Sequence, residues 1–154
     1  MAEILEPTDY NITRCKEHLE CSEVVTVPTE TVYGLAANAL DEVAVKKIFE
    51  IKKRPLIDPL LVHVYSDDQT HLYAELNTLA KKLIKDYWPG PLTLVLKKKS
   101  KIPNLVTAGL NSVAIRSPQH PTFRKLLKAL PFPLAAPSAN PFGYISPCLL
   151  YTSQ

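Results

Sequence analysis

Glycine is scarce in this 154-residue sequence, with four residues against 14 prolines. Neither familiar glycine-rich phosphate loop is present: there is no G-x-x-x-x-G-K-[ST] and no G-x-G-x-x-G, which excludes those two modes of nucleotide binding. Long apolar runs are lacking too, and none approaches the ~18 residues that read as a membrane-spanning helix. The N-terminus, Met1-Ala2-Glu3-Ile4-Leu5-Glu6, is acidic and has no basic segment followed by an apolar one, which argues against a secretory signal. Cysteine is sparse: Cys15, Cys21 and Cys148 form an odd set without repeated spacing. That argues against a disulfide framework and fits a reducing, cytoplasmic location with no membrane partner. Cys15, His18 and Cys21 are close in sequence, but their spacing spreads them around a helix and no fourth ligand is near. No metal site is expected from them. Internal repeats and low-complexity tracts are absent.

What is present is an ordinary globular composition, 46% apolar and 21% charged, with a net charge of +3. The mild basicity is compatible with a polyanionic ligand. The length suits one domain, and a chain of this size buries roughly 70% of the surface it exposes when unfolded. The apolar spacing predicts helices over 8–21, capped by Thr8 or Asp9, over 41–52 after Asp41, over the segment following Asn77, and from Pro121 to Leu130. Strands are predicted at Val24–Val27, Leu60–Tyr65, Leu92–Leu96, Ser112–Arg116 and Leu134–Ala136. Prolines sit at the edges of these runs and read as stops. Strands alternating with helices, with no linker dividing them, indicate a single α/β domain.

Four segments place polar residues beside predicted strand ends, where open α/β sheets bind ligands. They are Pro28-Thr29-Glu30-Thr31-Val32-Tyr33-Gly34-Leu35; Lys52-Lys53-Arg54-Pro55 leading to Asp58, Pro59 and His63; Ser112 to Arg116; and Pro137-Ser138-Ala139-Asn140 followed by Ser146-Pro147. Each has a plain explanation by itself. Cations favour a helix C-terminus, Ser and Asn bond their own backbone in turns, and a histidine in an apolar strand is usually a core residue.

Together, the runs PTETVYGL, KKRP…DPLLVHV, WPGPLTLVLK, TAGLNSVAIR, APSAN and SP resemble the YrdC-like family of threonylcarbamoyl-adenylate synthases, in order, from about Val24 to Pro147. The resemblance implies a twisted sheet with packed helices. It also implies a reaction in which L-threonine takes up bicarbonate as a carbamate whose oxygen attacks the α-phosphorus of ATP. Pyrophosphate leaves, and a tRNA threonylcarbamoyl-transferase machinery passes the group to an adenosine beside the anticodon. The substrates supply nucleophile and leaving group, so the protein needs only to position them and stabilise phosphate charge. Carried over by position, Thr31, His63, Arg116 and Ala136 resemble the threonine site. Arg54, Asp58, Ser112, Ser138, Asn140 and Ser146 match positions that contact ATP. Lys52 and Arg54, the K-x-R pair, are the catalytic candidates. Glu30 and Tyr33 belong to the first block without an assigned role. Asp58 stands where asparagine is common, and a carboxylate near triphosphate calls for Mg²⁺ between them.

Two other readings use the same residues. A concave positive surface with Lys46, Lys47, Lys52, Lys53 and the run Lys97-Lys98-Lys99-Ser100-Lys101 suits double-stranded RNA or tRNA without catalysis. A related domain in hydrogenase-maturation carbamoyltransferases forms a carbamoyl adenylate without threonine. The resemblance stops at Pro147, so residues 1–147 read as a YrdC-like domain whose C-terminal elements are missing. Residues 148–154 read as a tail that matches nothing in the family.

Overall fold

The computed structural model describes residues 3–141 and 143. The expected features at Ser146 and in the tail 148–154 lie outside the described residues. Among the described residues, five helices and six strands follow one another as α1 Asp9–Glu20, β1 Val25–Val27, β2 Gly34–Asn38, α2 Glu42–Lys52, β3 Leu61–His63, α3 Asp67–Tyr73, α4 Thr78–Tyr87, β4 Leu94–Lys97, β5 Ser112–Arg116, α5 Pro121–Ala129 and β6 Leu134–Ala135.

The helix starts follow from capping chemistry. Thr8 accepts from the Asn11 N–H at 3.2 Å, Asp41 from Val43 at 2.9 Å, and Asn77 from Ala80 at 2.8 Å. Each satisfies a donor that the helix itself cannot. Helix α2 ends with Lys53 in the left-handed region at φ 51°, and the Arg54 N–H returns to Phe49 O at 3.0 Å. Such endings favour glycine, and here a lysine adopts the conformation.

The sheet order is β1-β2-β6-β3-β5-β4. Only β3 and β5 run parallel; the other pairs are antiparallel. Side chains alternate between faces along each strand. One face carries Leu35, Ala37, Val62, Leu94, Leu96, Val113, Ile115 and Ala135 against Ala44, Val45, Ile48 and Phe49 of α2 and Ala80 and Ile84 of α4. Among the described residues, helices cover the other face mainly over β1, β2 and β6. There Val27, Ala36, Leu134 and Ala136 pack on Ile12 and Leu19 of α1 and on Phe123, Leu126 and Leu127 of α5. Over the rest of β3, β5 and β4 this second face is more open: Leu61, Ser112 and Ala114 are half-buried and Val95 is 71% exposed, while His63 and Arg116 at the strand ends are buried.

Two elements were not foreseen. Strand β2, Gly34-Leu35-Ala36-Ala37-Asn38, lies where a ligand loop ending at Leu35 was expected. It has no β-branched residue, and its strand state comes from pairing with β1 and β6 on either side. Helix α3 is a polar seven-residue segment, DDQTHLY, too short to show a clear apolar period. The lysine run is engaged within the fold. Lys97 pairs with Glu75 at 3.1 Å, Lys98 donates to Ile102 O at 3.0 Å, and Lys99 donates to His71 O at 2.6 Å.

Candidate functional site

A pocket of about 290 Å³ lies on the more open half of the second face. Four distant segments form it: Thr29 to Gly34, Arg54 with Pro59 and Leu61, Arg116, and Ala136-Pro137-Ser138. Leu61 begins β3 and Arg116 ends β5, and these two strands are parallel. The pocket therefore runs across the sheet face, from the start of β3 to the end of β5. Register makes this possible. Leu61 is opposite Ala114 and His63 opposite Arg116, so all four side chains, with Ser112, share one face.

The first wall is a hydroxyl-built turn. Thr29 Oγ1 accepts from the N–H of Thr31 at 3.2 Å and of Val32 at 3.0 Å, and lies 3.1 Å from Thr31 Oγ1. Two backbone bonds fasten this turn to the opposite wall: Leu35 N–H to Pro137 O and Ala139 N–H to Tyr33 O, both 2.8 Å. Tyr33 thus contributes its carbonyl to this join. A Cβ on Gly34 would stand 3.3 Å from Pro137 O, a tight contact at the join of the two walls.

The second wall follows the left-handed turn at Lys53. Arg54 donates from Nη2 to Pro59 O at 2.9 Å and lies 3.8 Å from Asp58 Oδ2. Asp58 stands beside Arg54 but outside the pocket lining. Lys52 is behind the lining, 3% exposed, with its ammonium donating to the carbonyls of Ser138 and Asn140. Burial first, and the Arg54 charge second, lower its pKa to about 8. Lys52, one of the two K-x-R catalytic candidates, thus holds the S-x-N backbone in this structure. Asn140 donates from Nδ2 to Pro141 O at 2.9 Å.

Arg116 is 8% exposed and lies 3.6 Å from Glu30. The next residues are braced by a network the sequence did not reveal. Gly90 N–H donates to Ser117 O at 2.9 Å, Ser117 Oγ donates to Tyr65 O at 2.9 Å, and Arg124 donates to Ser117 Oγ and Pro118 O at 3.1 Å each. The Arg124 guanidinium also stacks 4.5 Å from the Tyr65 ring centre. This gives the WPGP motif a role: a Cβ on Gly90 would come within 2.4 Å of Tyr87 O, so only glycine fits the brace.

His63 lies under the pocket rather than in its wall, 1% exposed, with its ring 5.0 Å from that of Phe123. Burial, then the Arg116 charge, push its pKa down to about 3, with the Leu134 backbone opposing part of the shift. The imidazole is neutral. Ser112 is at the far end of β5, four residues from Arg116 and roughly 13 Å away at strand rise. Of the sequence candidates, the pocket gathers Thr31, Arg54, Arg116, Ala136 and Ser138. His63, Lys52, Asp58 and Asn140 adjoin it, and Ser112 lies outside the lining on the same face. Among the described residues, no three His, Cys, Asp or Glu side chains gather as a metal site.

The comparisons with known proteins agree with this architecture. The Sua5, YciO and YrdC family model, described as "Telomere recombination", matches residues 17–150. The threonylcarbamoyl-AMP synthase of Pyrococcus abyssi is 52% identical over 126 residues, 81% of this chain and 37% of that protein. The Bacillus subtilis protein of the same name is 47% identical over 145 residues, 93% of this chain and 42% of its own length. The chain therefore spans about two fifths of the length of these two relatives. The structure of Pyrococcus abyssi Sua5 complexed with L-threonine superposes with a TM-score of 0.92 at 45% identity, covering 98% of this chain and 44% of that one. With the family model covering most of its residues and the sheet matching at this level, the chain belongs to the Sua5/YrdC family.

Proposed function

We propose that this chain carries the threonylcarbamoyl-AMP synthase reaction: L-threonine, bicarbonate and ATP give threonylcarbamoyl-AMP, pyrophosphate and water. The observation that carries the reading is the convergence of Thr31, Arg54, Arg116, Ala136 and Ser138 on one pocket from four segments. It is supported by the names of the relatives and by the threonine-bound Pyrococcus structure.

In this reading Arg116 takes the amino acid's carboxylate in a charge-assisted pair, and Thr31 and Ala136 shape the space beside it. Arg54 and Ser138, on the facing walls, take the phosphates. A pocket of about 290 Å³ lies at the lower end of ligand-site volumes. It suits the amino acid and the reacting phosphate, leaving the rest of the nucleotide to extend along β5 toward Ser112. Carbamate formation joins the threonine nitrogen to the bicarbonate carbon with loss of water. The carbamate oxygen then forms a bond to the α-phosphorus as the bond to pyrophosphate breaks. The residues supply placement and positive charge. Mg²⁺ is held mainly by substrate phosphates with one or two carboxylates. Asp58, beside Arg54, is the carboxylate placed to assist; the metal would neutralise the charge on the leaving pyrophosphate. The adenylate then serves a tRNA threonylcarbamoyl-transferase machinery.

Pyrophosphate release, measured with threonine, bicarbonate and Mg²⁺ omitted in turn, tests the reading. Release should need all three. Release independent of threonine would favour a carbamoyl-adenylating domain. Salt-dependent RNA binding without any nucleotide turnover would favour an RNA-binding module.

A further inference from the structure

Glu30 belongs to the Thr29–Thr31 turn, yet its side chain is not part of the pocket lining. It stands behind Arg116. The two side chains are 17% and 10% exposed, and Glu30 Oε1 is 3.6 Å from Arg116 Nη2. Glu30 Oε2 accepts the Gln119 N–H at 3.0 Å, a bond between residues 89 apart in sequence. That bond fixes the carboxylate relative to the end of β5. Glu30 Oε1 and Arg116 Nε are both buried without a hydrogen-bond partner. The pair is therefore held by charge, and the Nε donor of Arg116 remains unspent.

The surroundings make this one carboxylate decisive. Among the described residues, Glu30 is the carboxylate within ion-pair distance of Arg116. His63, opposite Arg116 in the β3–β5 register, is neutral and adds no charge. On the other wall Arg54 is offset by Asp58 at 3.8 Å. With Glu30 in place, the Arg116 end of the pocket has no net charge. Without it, that end carries one buried positive charge.

We propose that Glu30 is a specificity-determining residue: by keeping the Arg116 wall neutral, it makes the pocket select a zwitterionic amino acid over a simple carboxylate anion. This rests on the amino-acid reading of the pocket given above. A lone buried guanidinium attracts any carboxylate, and the anion without an ammonium group gains most from it. A balanced guanidinium–carboxylate pair lowers that advantage, while a ligand carrying both charges keeps favourable interactions with each. At separations of about 6 Å and an effective dielectric of about 20, such a charge alters relative affinity by tenfold or more.

The test is calorimetric binding of L-threonine and of (R)-3-hydroxybutyrate, which keeps the carboxylate and hydroxyl but lacks the amine. Wild-type protein should prefer threonine. Glu30→Gln keeps an acceptor for Gln119 and should reduce the threonine-to-hydroxybutyrate preference at least tenfold, with ATP affinity unchanged. Glu30→Asp keeps the charge and should keep the preference, whatever it does to overall affinity. If Glu30→Gln weakens both ligands alike, Glu30 is only a brace and the inference is overturned. Wild-type protein that binds ATP but not threonine would overturn the functional reading as well, before any variant is made.

Discussion

The Lys52 ammonium is buried against the backbone carbonyls of Ser138 and Asn140, residues 86 and 88 positions further along the chain. This joins the end of α2 to the loop after β6, and so joins the two pocket walls that carry Arg54 and Ser138. Lys52→Met should leave both carbonyls without their donor. An unsatisfied buried acceptor costs roughly 1–3 kcal/mol, so a net loss of about 1–3 kcal/mol in urea unfolding is expected, relief of the ammonium's own burial offsetting part. Nucleotide affinity should fall more than threonine affinity. Because the Lys52 pKa is about 8, the hold loses its charge as pH rises through that value. Wild-type nucleotide affinity should decline there, and the decline should be absent in Lys52→Met. An identical pH profile in the two proteins would count against the clamp.

Arg54 and Arg116 lie on different walls, and their losses should separate. Losing a charge-assisted contact costs roughly 1.5–3 kcal/mol, about 10- to 150-fold in affinity. Arg54→Ala should show this loss for ATP and Arg116→Ala for threonine, each measured by titration calorimetry. Equal effects of both substitutions on both ligands would show that the pocket is not divided in this way.

Asp58→Asn should fold normally and depend less on Mg²⁺. The carboxylate stands 3.8 Å from Arg54 and meets triphosphate favourably only through a cation, whereas an amide donates a hydrogen bond directly. A Mg²⁺ titration of turnover checks this, and an unchanged midpoint in the variant would argue against a metal-bridged role.

His63 gives the fold an acid limit. Its folded pKa of about 3 is below the ordinary value of 6.5, so between these values the unfolded chain binds more protons than the folded one. Stability should rise with pH across that window and be lost as pH falls from about 6.5 toward 3. His63→Leu should flatten this slope, as read by urea unfolding between pH 4 and pH 7. The same slope in the variant would assign the acid sensitivity to other groups.

Local chemistry was legible in the sequence. Thr8, Asp41 and Asn77 announced three helices, and the apolar spacing of Phe123, Leu126 and Leu127 announced the buried face of α5. Strand β2 was not legible, because two alanines and a glycine show no strand preference until their neighbours pair with them. Within the site, motif positions identified Thr31, Arg54, Arg116, Ala136 and Ser138, which the fold brings together. Motif positions could not show that Lys52 faces carbonyls rather than the pocket, or that Glu30 stands behind Arg116. Both facts depend on contacts across more than eighty residues, and neither leaves a local pattern. Gly90 was similar: WPGP reads as a stop, while its hold on Ser117 exists only in the folded chain.

The central claim is that the Arg116 and Arg54 walls bring an amino-acid carbamate to the α-phosphorus of ATP. The most direct measurement is mass spectrometry of the nucleotide product formed from ATP, L-threonine, Mg²⁺ and ¹³C-bicarbonate. The account predicts an adenylate containing both the threonine mass and one ¹³C, formed together with pyrophosphate and strongly diminished in Arg116→Ala. A ¹³C-containing adenylate that lacks threonine, or AMP and pyrophosphate released at the same rate without threonine, would contradict it.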